Sequence, residues 1–271
     1  MKNLSFSILG VGAWGPRFRN WQDLQDIMAG KALEDDGAKG PKPEVIPANE
    51  RRRAPLPVRL AVEASSQACA MAGIDASELA SVFVSGLGDT QLTDYMCKVL
   101  AGDNKALSPT KFHNSVHNAA AGYWTISTNC MQAANSVAGF NESVSLTIME
   151  AVVQAHAQQR PLLLTFYDAP SSPILKELLA NEQSFAVSII ITPKTEGLAQ
   201  TLNANVNEQS VEWPAMDSLS DDLAECYQKN PCAKILPVLQ FLTGERTALS
   251  MPLSADTALN LTLVTATQML L

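Results

Sequence analysis

Positive charge is in short supply: 19 Lys and Arg stand against 27 Asp and Glu, for a net charge of −8. That balance excludes the basic footprint nucleic acid requires and argues against docking on an anionic lipid surface. Histidine is scarce, with 3 in the chain, and the 5 cysteines form no C-x-x-C pair. Cys69, Cys97, Cys130, Cys226 and Cys232 are scattered, which reads as reduced thiols of a cytoplasmic protein. Without paired spacing no structural zinc site is expected. No apolar run reaches the length of about 18 residues that a membrane span needs. The opening "MKNLSFSILGVGAWGP" is too short and too interrupted for a signal peptide. Short-period repeats and low-complexity segments are absent as well.

What the chain does have is apolar material: 46% of 271 residues are hydrophobic and 17% charged, enough for a sizeable core. A strand is predicted over 4–14, turning through glycine, then a helix over 19–30 with a glycine stop. Residues 31–57 form a polar surface excursion. A small-residue helix over 57–73 precedes a buried strand in 78–89 and a helix over 90–102. Residues 115–130 read as helical, 135–140 as a short strand, and 141–159 as a long helix with Asn141 as N-cap. Strands follow at 160–168, 184–193 and 199–207, helices at 216–230 and 232–244, and a hairpin across 247–267. The order predicts an α/β fold with a mixed sheet sandwiched by helices.

Several motifs invite a chemical reading. "GVGAWG" (10–15) matches G-x-G-x-x-G after a strand, but Pro16 follows the third glycine and no acidic strand end lies about 20 residues on, so dinucleotide binding is not expected. "ERRRAP" supplies Arg51, Arg52 and Arg53, either a solvated loop or a dock for an acidic partner. His113 and His117 stand four apart in "HNSVHNAAAGYW", a spacing that shares one helix face. Asn114 occupies the place of a metalloprotease glutamate and no third ligand is near, so no metal is expected; the pair reads as partly buried, bridging at a helix start. Cys130 is the cysteine nearest these histidines, but nothing in the sequence supplies an orienting group for a Cys–His pair. Leu146, Ile148, Met149, Val152 and Val153 read as a core face.

The ordered set "SVFVSGLGD", "LSPTKFHNSVHNAAAGYWTIST", "NSVAGF", "SLTIMEAVVQA", "RPLLLTFYD" and "SFAVSIIITP" resembles the N-terminal half of ketosynthases of the thiolase fold, over about residues 1–195. The resemblance implies a layered α/β/α half, 1–195, with a shortened C-terminal α/β portion, 196–271, packed on the same core. In that family a strand delivers a nucleophilic cysteine at the start of a long buried helix. Here the corresponding stretch holds Ala138, Gly139, Phe140 and Asn141 and no cysteine. The family's two catalytic histidines belong to the second half, and this chain has none after residue 195. His113, His117 and His156 do not match them.

A ketosynthase fold without its nucleophile is similar to chain-length factors, the inactive partners of ketosynthases in type II polyketide systems. The early W-x-x-L helix, the "RRRA" loop, "SVHNAAAGYW" and "LLLTFYDAP" resemble the short form found with bacterial aryl polyene clusters. That likeness implies a non-enzymatic subunit without cofactor or metal. It would pair with a catalytic ketosynthase and meet an acyl carrier protein bearing a phosphopantetheine-bound chain, with Arg51, Arg52 and Arg53 as the docking candidates. His113, His117, Ala120, Ala121, Tyr123 and Trp124 would lie at the subunit interface and the end of the acyl tunnel. For Tyr123 and Trp124, core packing is the competing expectation. Two alternatives stay open: a homodimeric carrier-protein binding module, and an acyltransferase or thioesterase using Cys130 or Ser136.

Overall fold

The computed structural model describes residues 3–194, 198, 200–216 and 219–264. The chain begins with β1 (Leu4–Trp14), α1 (Trp21–Met28), α2 (Ala48–Arg51), α3 (Leu56–Ala72), β2 (Ala80–Val84), α4 (Thr90–Ala101), α5 (Pro109–His113) and α6 (Ala119–Ser127). It continues with β3 (Ala134–Val137), α7 (Ser143–Gln158), β4 (Leu162–Asp168), α8 (Lys176–Leu179), β5 (Phe185–Thr192) and β6 (Thr201–Glu208). It closes with α9 (Asp221–Lys229), a 3-10 turn (Pro231–Ile235), α10 (Leu236–Thr243), β7 (Ala248–Pro252) and β8 (Thr257–Leu263). The expected boundary at 195–196 and the end of the hairpin at 265–267 lie outside the described residues.

Among the described residues, eight strands join one sheet in the order β3-β2-β4-β5-β1-β6-β8-β7. β2 runs parallel to β3 and to β4, and the other pairs are antiparallel. Every residue of β2, β4 and β5 is buried, because helices cover both faces there; such strands read as continuous apolar runs. One face carries α3 and α6 over Phe83, Leu163 and Ile190. The other carries α1, α7, α9 and α10 over Val82, Leu164 and Val187.

The glycines of "GVGAWG" are explained by packing, not by a phosphate. Gly10 and Gly12 lie inside β1, which runs on to Trp14. A Cβ on Gly12 would overlap the Ala64 carbonyl oxygen, and one on Gly10 the Ala68 carbonyl oxygen. Bare backbone on the strand and alanines on the helix let α3 settle against β1. Buried hydroxyls bridge α3 to the sheet: Ser65 Oγ meets Thr165 Oγ1 at 2.7 Å, and Thr165 meets Ser188 Oγ at 2.8 Å. Each buried polar group there finds a partner, as burial demands.

Three local expectations are corrected. The predicted 115–130 helix is shorter, α6 alone, and residues 114–118 are a link from the separate short helix α5 that precedes them. α7 begins at Ser143, and Asn141 is not its cap. Phe140 stands at φ 48° at the head of a 3-10 turn spanning Phe140–Glu142, and no side chain caps the helix. Finally, the buried stripe of α7 is Val144, Ile148, Ala151, Val152 and Ala155, while Val153 is exposed.

Candidate functional site

Two neighbouring hollows flank the α5–α6 segment. The first, about 470 Å³, lies between the start of α3, the β2–α4 turn, α4, the 114–118 link and the start of α6. α4 contributes Leu92, Met96 and Leu100, spaced i, i+4, i+8 along one helix face. Across from them stand Val116, Ala119 and Ala120. Asp89 sets the start of α4: its Oδ1 accepts the Leu92 N–H at 2.9 Å, which satisfies a donor that a helix start leaves unpaired. Burial raises the Asp89 pKa, opposed by that N–H and by Lys111.

The floor of this hollow is fixed by Asp168, fully buried at the end of β4. Parallel pairing of β2 with β4 matches Val84 to Phe166, which carries the β2–α4 turn directly over that carboxylate. Ser85 Oγ–H donates to Asp168 Oδ1 at 2.6 Å, Leu87 N–H to Oδ1 at 3.1 Å, and Gly86 N–H to Oδ2 at 3.3 Å. Burial raises the Asp168 pKa, and Ser85, Cys232 and the two amides partly offset it. The preceding residue, Tyr167, points to the other face, as strand alternation requires. It is 5% exposed and lies edge-on to Phe83, with centroids 6.5 Å apart. Its side chain lines the hollow.

The second hollow is a surface groove of about 660 Å³ bordered by Pro47, Glu50, His113, Val116, Tyr123 and Ile126. Gly122 lies in its wall and leaves room where a side chain would stand. Around it the surface is apolar: Phe112 is 60% exposed, Val116 53%, Ile126 80% and Met131 94%. β3 lies at the edge of the sheet beside this patch.

The sequence-predicted residues divide between these places. His113 ends α5 and His117 lies in the link, so the two imidazoles do not share a helix face. Both are exposed, contrary to the partly buried reading. His113 borders the groove and His117 the first hollow. Ala120 and Ala121 are buried at the base of α6, and Tyr123 is half-buried beside the groove. Trp124 is core, packed against Phe83 with centroids 6.4 Å apart. Ala138, Gly139, Phe140 and Asn141 form the turn between β3 and α7, with Phe140 47% exposed and Ser143 Oγ accepting the Gly139 N–H. Arg51 donates to the Pro43 carbonyl at 3.0 Å and pins the long excursion, whereas Arg52 and Arg53 are exposed.

Four of the five cysteines are buried and Cys97 is exposed. Cys130 is buried and its thiol donates to the Leu79 carbonyl at 3.3 Å. Burial pushes the Cys69 thiol up to about 12 and raises Cys226 and Cys232 as well, the reverse of an activated thiolate. Ser136 Oγ is buried on β3 without a partner. Among the described residues no three His, Cys, Asp or Glu side chains gather as metal ligands, and no helix is long and apolar enough to cross a membrane.

Sequence reasoning missed the α4 face, Tyr167 and Asp168. The i, i+4, i+8 spacing of Leu92, Met96 and Leu100 was visible in the sequence. The convergence of β2 and β4 that assembles the floor was not.

Residues 20–256 match the model of the beta-ketoacyl synthase N-terminal domain. No curated protein sequence matches. Among solved structures the chain is similar to one in the complex of a ketosynthase (ApeO) with its chain length factor (ApeC) from Xenorhabdus doucetiae. The identity is 19%, coverage is 96% of this chain and 99% of that one, and the TM-score is 0.68. It is also similar to the ishigamide ketosynthase/chain length factor, at 12% identity, 96% and 100% coverage and TM-score 0.68. A third likeness is to a type II polyketide synthase structure, AntDE:AntF, in which an acyl-carrier protein is in complex with its ketosynthase, at 12% identity, 97% and 100% coverage and TM-score 0.70. These likenesses establish a thiolase-like ketosynthase fold, and they run the length of both chains.

Proposed function

The chain belongs to the beta-ketoacyl synthase family, by its N-terminal domain, and from that premise we propose that it is a non-catalytic, chain-length-factor-like subunit. It pairs with an active ketosynthase and shapes the cavity for a growing carrier-bound chain. The observation that carries this reading is the turn before α7. Where the family resemblance puts a cysteine-bearing stretch, this chain has Ala138, Gly139, Phe140 and Asn141, and without a thiolate there is no covalent acyl intermediate. The partner's place is the apolar surface from Phe112 to Met131, since soluble monomers seldom leave such patches open. His113 and Tyr123 lie at that contact, with the α4–Val116 hollow behind it as the end of the tunnel. Residues 196–271 are a shortened second portion, in which β6, β8 and β7 extend the same sheet. Arg52 and Arg53 are the dock for an acidic carrier protein, the chain being elongated is a polyene, and the compartment is the cytoplasm.

The test is co-expression with a ketosynthase encoded beside it, tagging only this subunit. A one-to-one complex is expected, whose condensation activity disappears when the partner's cysteine is changed and survives Cys130→Ala. A homodimer that ignores the ketosynthase, or acyl transfer lost with Cys130→Ala, would overturn the reading.

A further inference from the structure

Gly122 serves no purpose inside its own fold. It lies in the interior of α6, where glycine is less favourable than alanine. Its backbone is outside the left-handed region, and a Cβ built on it meets nothing within 4 Å. Gly10 and Gly12, by contrast, are pressed against the backbone of α3. The space a side chain would take at Gly122 belongs to the groove of about 660 Å³. The bare backbone therefore leaves room for something that comes from outside the chain.

The lining of the groove says what fits. Its rim is apolar, with Val116 and Ile126 exposed. Among the described residues no lysine or arginine lines it, and its one carboxylate is Glu50. Asn114 lines it as well and is 7% exposed; its Nδ2–H donates to the Arg53 carbonyl at 3.2 Å, while its Oδ1 has no partner. A buried acceptor left open in this way asks for a donor. Glu50 also contacts Arg53, its carboxylate 3.7 Å from the guanidinium, a long and exposed pair that holds it weakly. Tyr123 sets its ring beside them. The complement to this set has several donors, no acceptor, a positive charge and a flat face. A carboxylate has the wrong charge, and a lysine ammonium has no flat face. A guanidinium has all four properties.

We propose that the groove receives an arginine side chain from a partner protein, with its stem over Gly122 and its guanidinium among Glu50, Asn114 and Tyr123. The proposal rests on the preceding reading only in taking that partner to be the ketosynthase. Gly122 and Glu50 then decide which partner is accepted: one by the room it leaves, the other by its charge.

Two probes test it on the full chain alone, by NMR titration: Nα-acetylarginine methylamide and its citrulline analogue, which has the same shape and no charge. The arginine probe should bind about fivefold tighter or better. Glu50→Gln should erase that preference, and Gly122→Leu should abolish binding of the arginine probe. Neither Gly122→Leu nor Gly122→Ala should lower the urea midpoint, since the space is open and both residues favour a helix over glycine. In co-expression Gly122→Leu should lose the ketosynthase, and Glu50→Gln should weaken its capture about threefold. Equal binding of the two probes, binding of neither, capture unchanged by Gly122→Leu, or a midpoint lowered by Gly122→Ala would overturn the proposal. A wild type that captures no ketosynthase but still prefers the arginine probe through Glu50 would remove the subunit reading and leave this one standing.

Discussion

At the scale of single residues, Asp168 and Gly12 bear the sharpest consequences. Burial raises the folded-state pKa of Asp168, so the folded protein holds that proton more tightly than the unfolded chain. The stability this confers is complete below the unfolded value of about 3.9 and is lost as pH climbs through the raised value. Measured against Asp168→Asn, which cannot titrate, the wild-type denaturant midpoint should fall steadily from about pH 4 upward. A wild-type advantage that grows with pH would mean the three donors keep the carboxylate ionised. Gly12 is constrained by space, because a Cβ there meets helix backbone that has no rotamer to change. Gly12→Ala should cost about 3 kcal/mol, read as a lowered urea midpoint or as insoluble protein.

At the scale of elements, α4 depends on its N-cap, Asp89, and supplies the wall of the hollow. Asp89→Ala removes the cap and should cost about 1 kcal/mol by urea titration, while Asp89→Asn should cost a few tenths at most, within about 0.5 kcal/mol. The elements differ in how openly the sequence announced them. β2, β4 and β5 were visible because both faces are covered and their composition is unbroken. α3 and α4 were visible from periodicity and their glycine ends. The 109–127 segment was legible in part: α6 falls inside the expected 115–130 helix, but alanines and glycine give no period to fix its start, and α5 and the 114–118 link, where Asn114 Nδ2–H donates to the Arg53 carbonyl, were not read. Asn141 looked like a cap on residue type alone. The left-handed Phe140 moved the helix start beyond it. Of the candidate site, the groove residues His113 and Tyr123 were legible, whereas Tyr167 and Asp168 looked like the end of an ordinary core strand.

At the scale of the whole molecule, an apolar surface lies beside the edge strand β3. Ile126 is 80% exposed and makes little contribution to the core. Ile126→Glu should therefore change stability by less than about 0.5 kcal/mol yet abolish capture of a co-expressed ketosynthase, since a charge in the middle of an apolar contact is left unpaired. A variant that unfolds, or one that still captures the partner, would place the contact elsewhere.

β1 holds the centre of the sheet, between β5 and β6, and that position also sets a timetable. The ribosome delivers residues 4–14 first and residues 185–192 about 170 residues later, which at roughly 5–20 residues per second is a delay of about 10–35 s. Through that interval the glycine-bearing strand has no hydrogen-bonded neighbour on either side and no floor on which α3 can settle. A nascent chain halted before residue 185 should therefore aggregate, or remain with a holding chaperone, while the full chain folds. The closing of this sheet is a late event in synthesis.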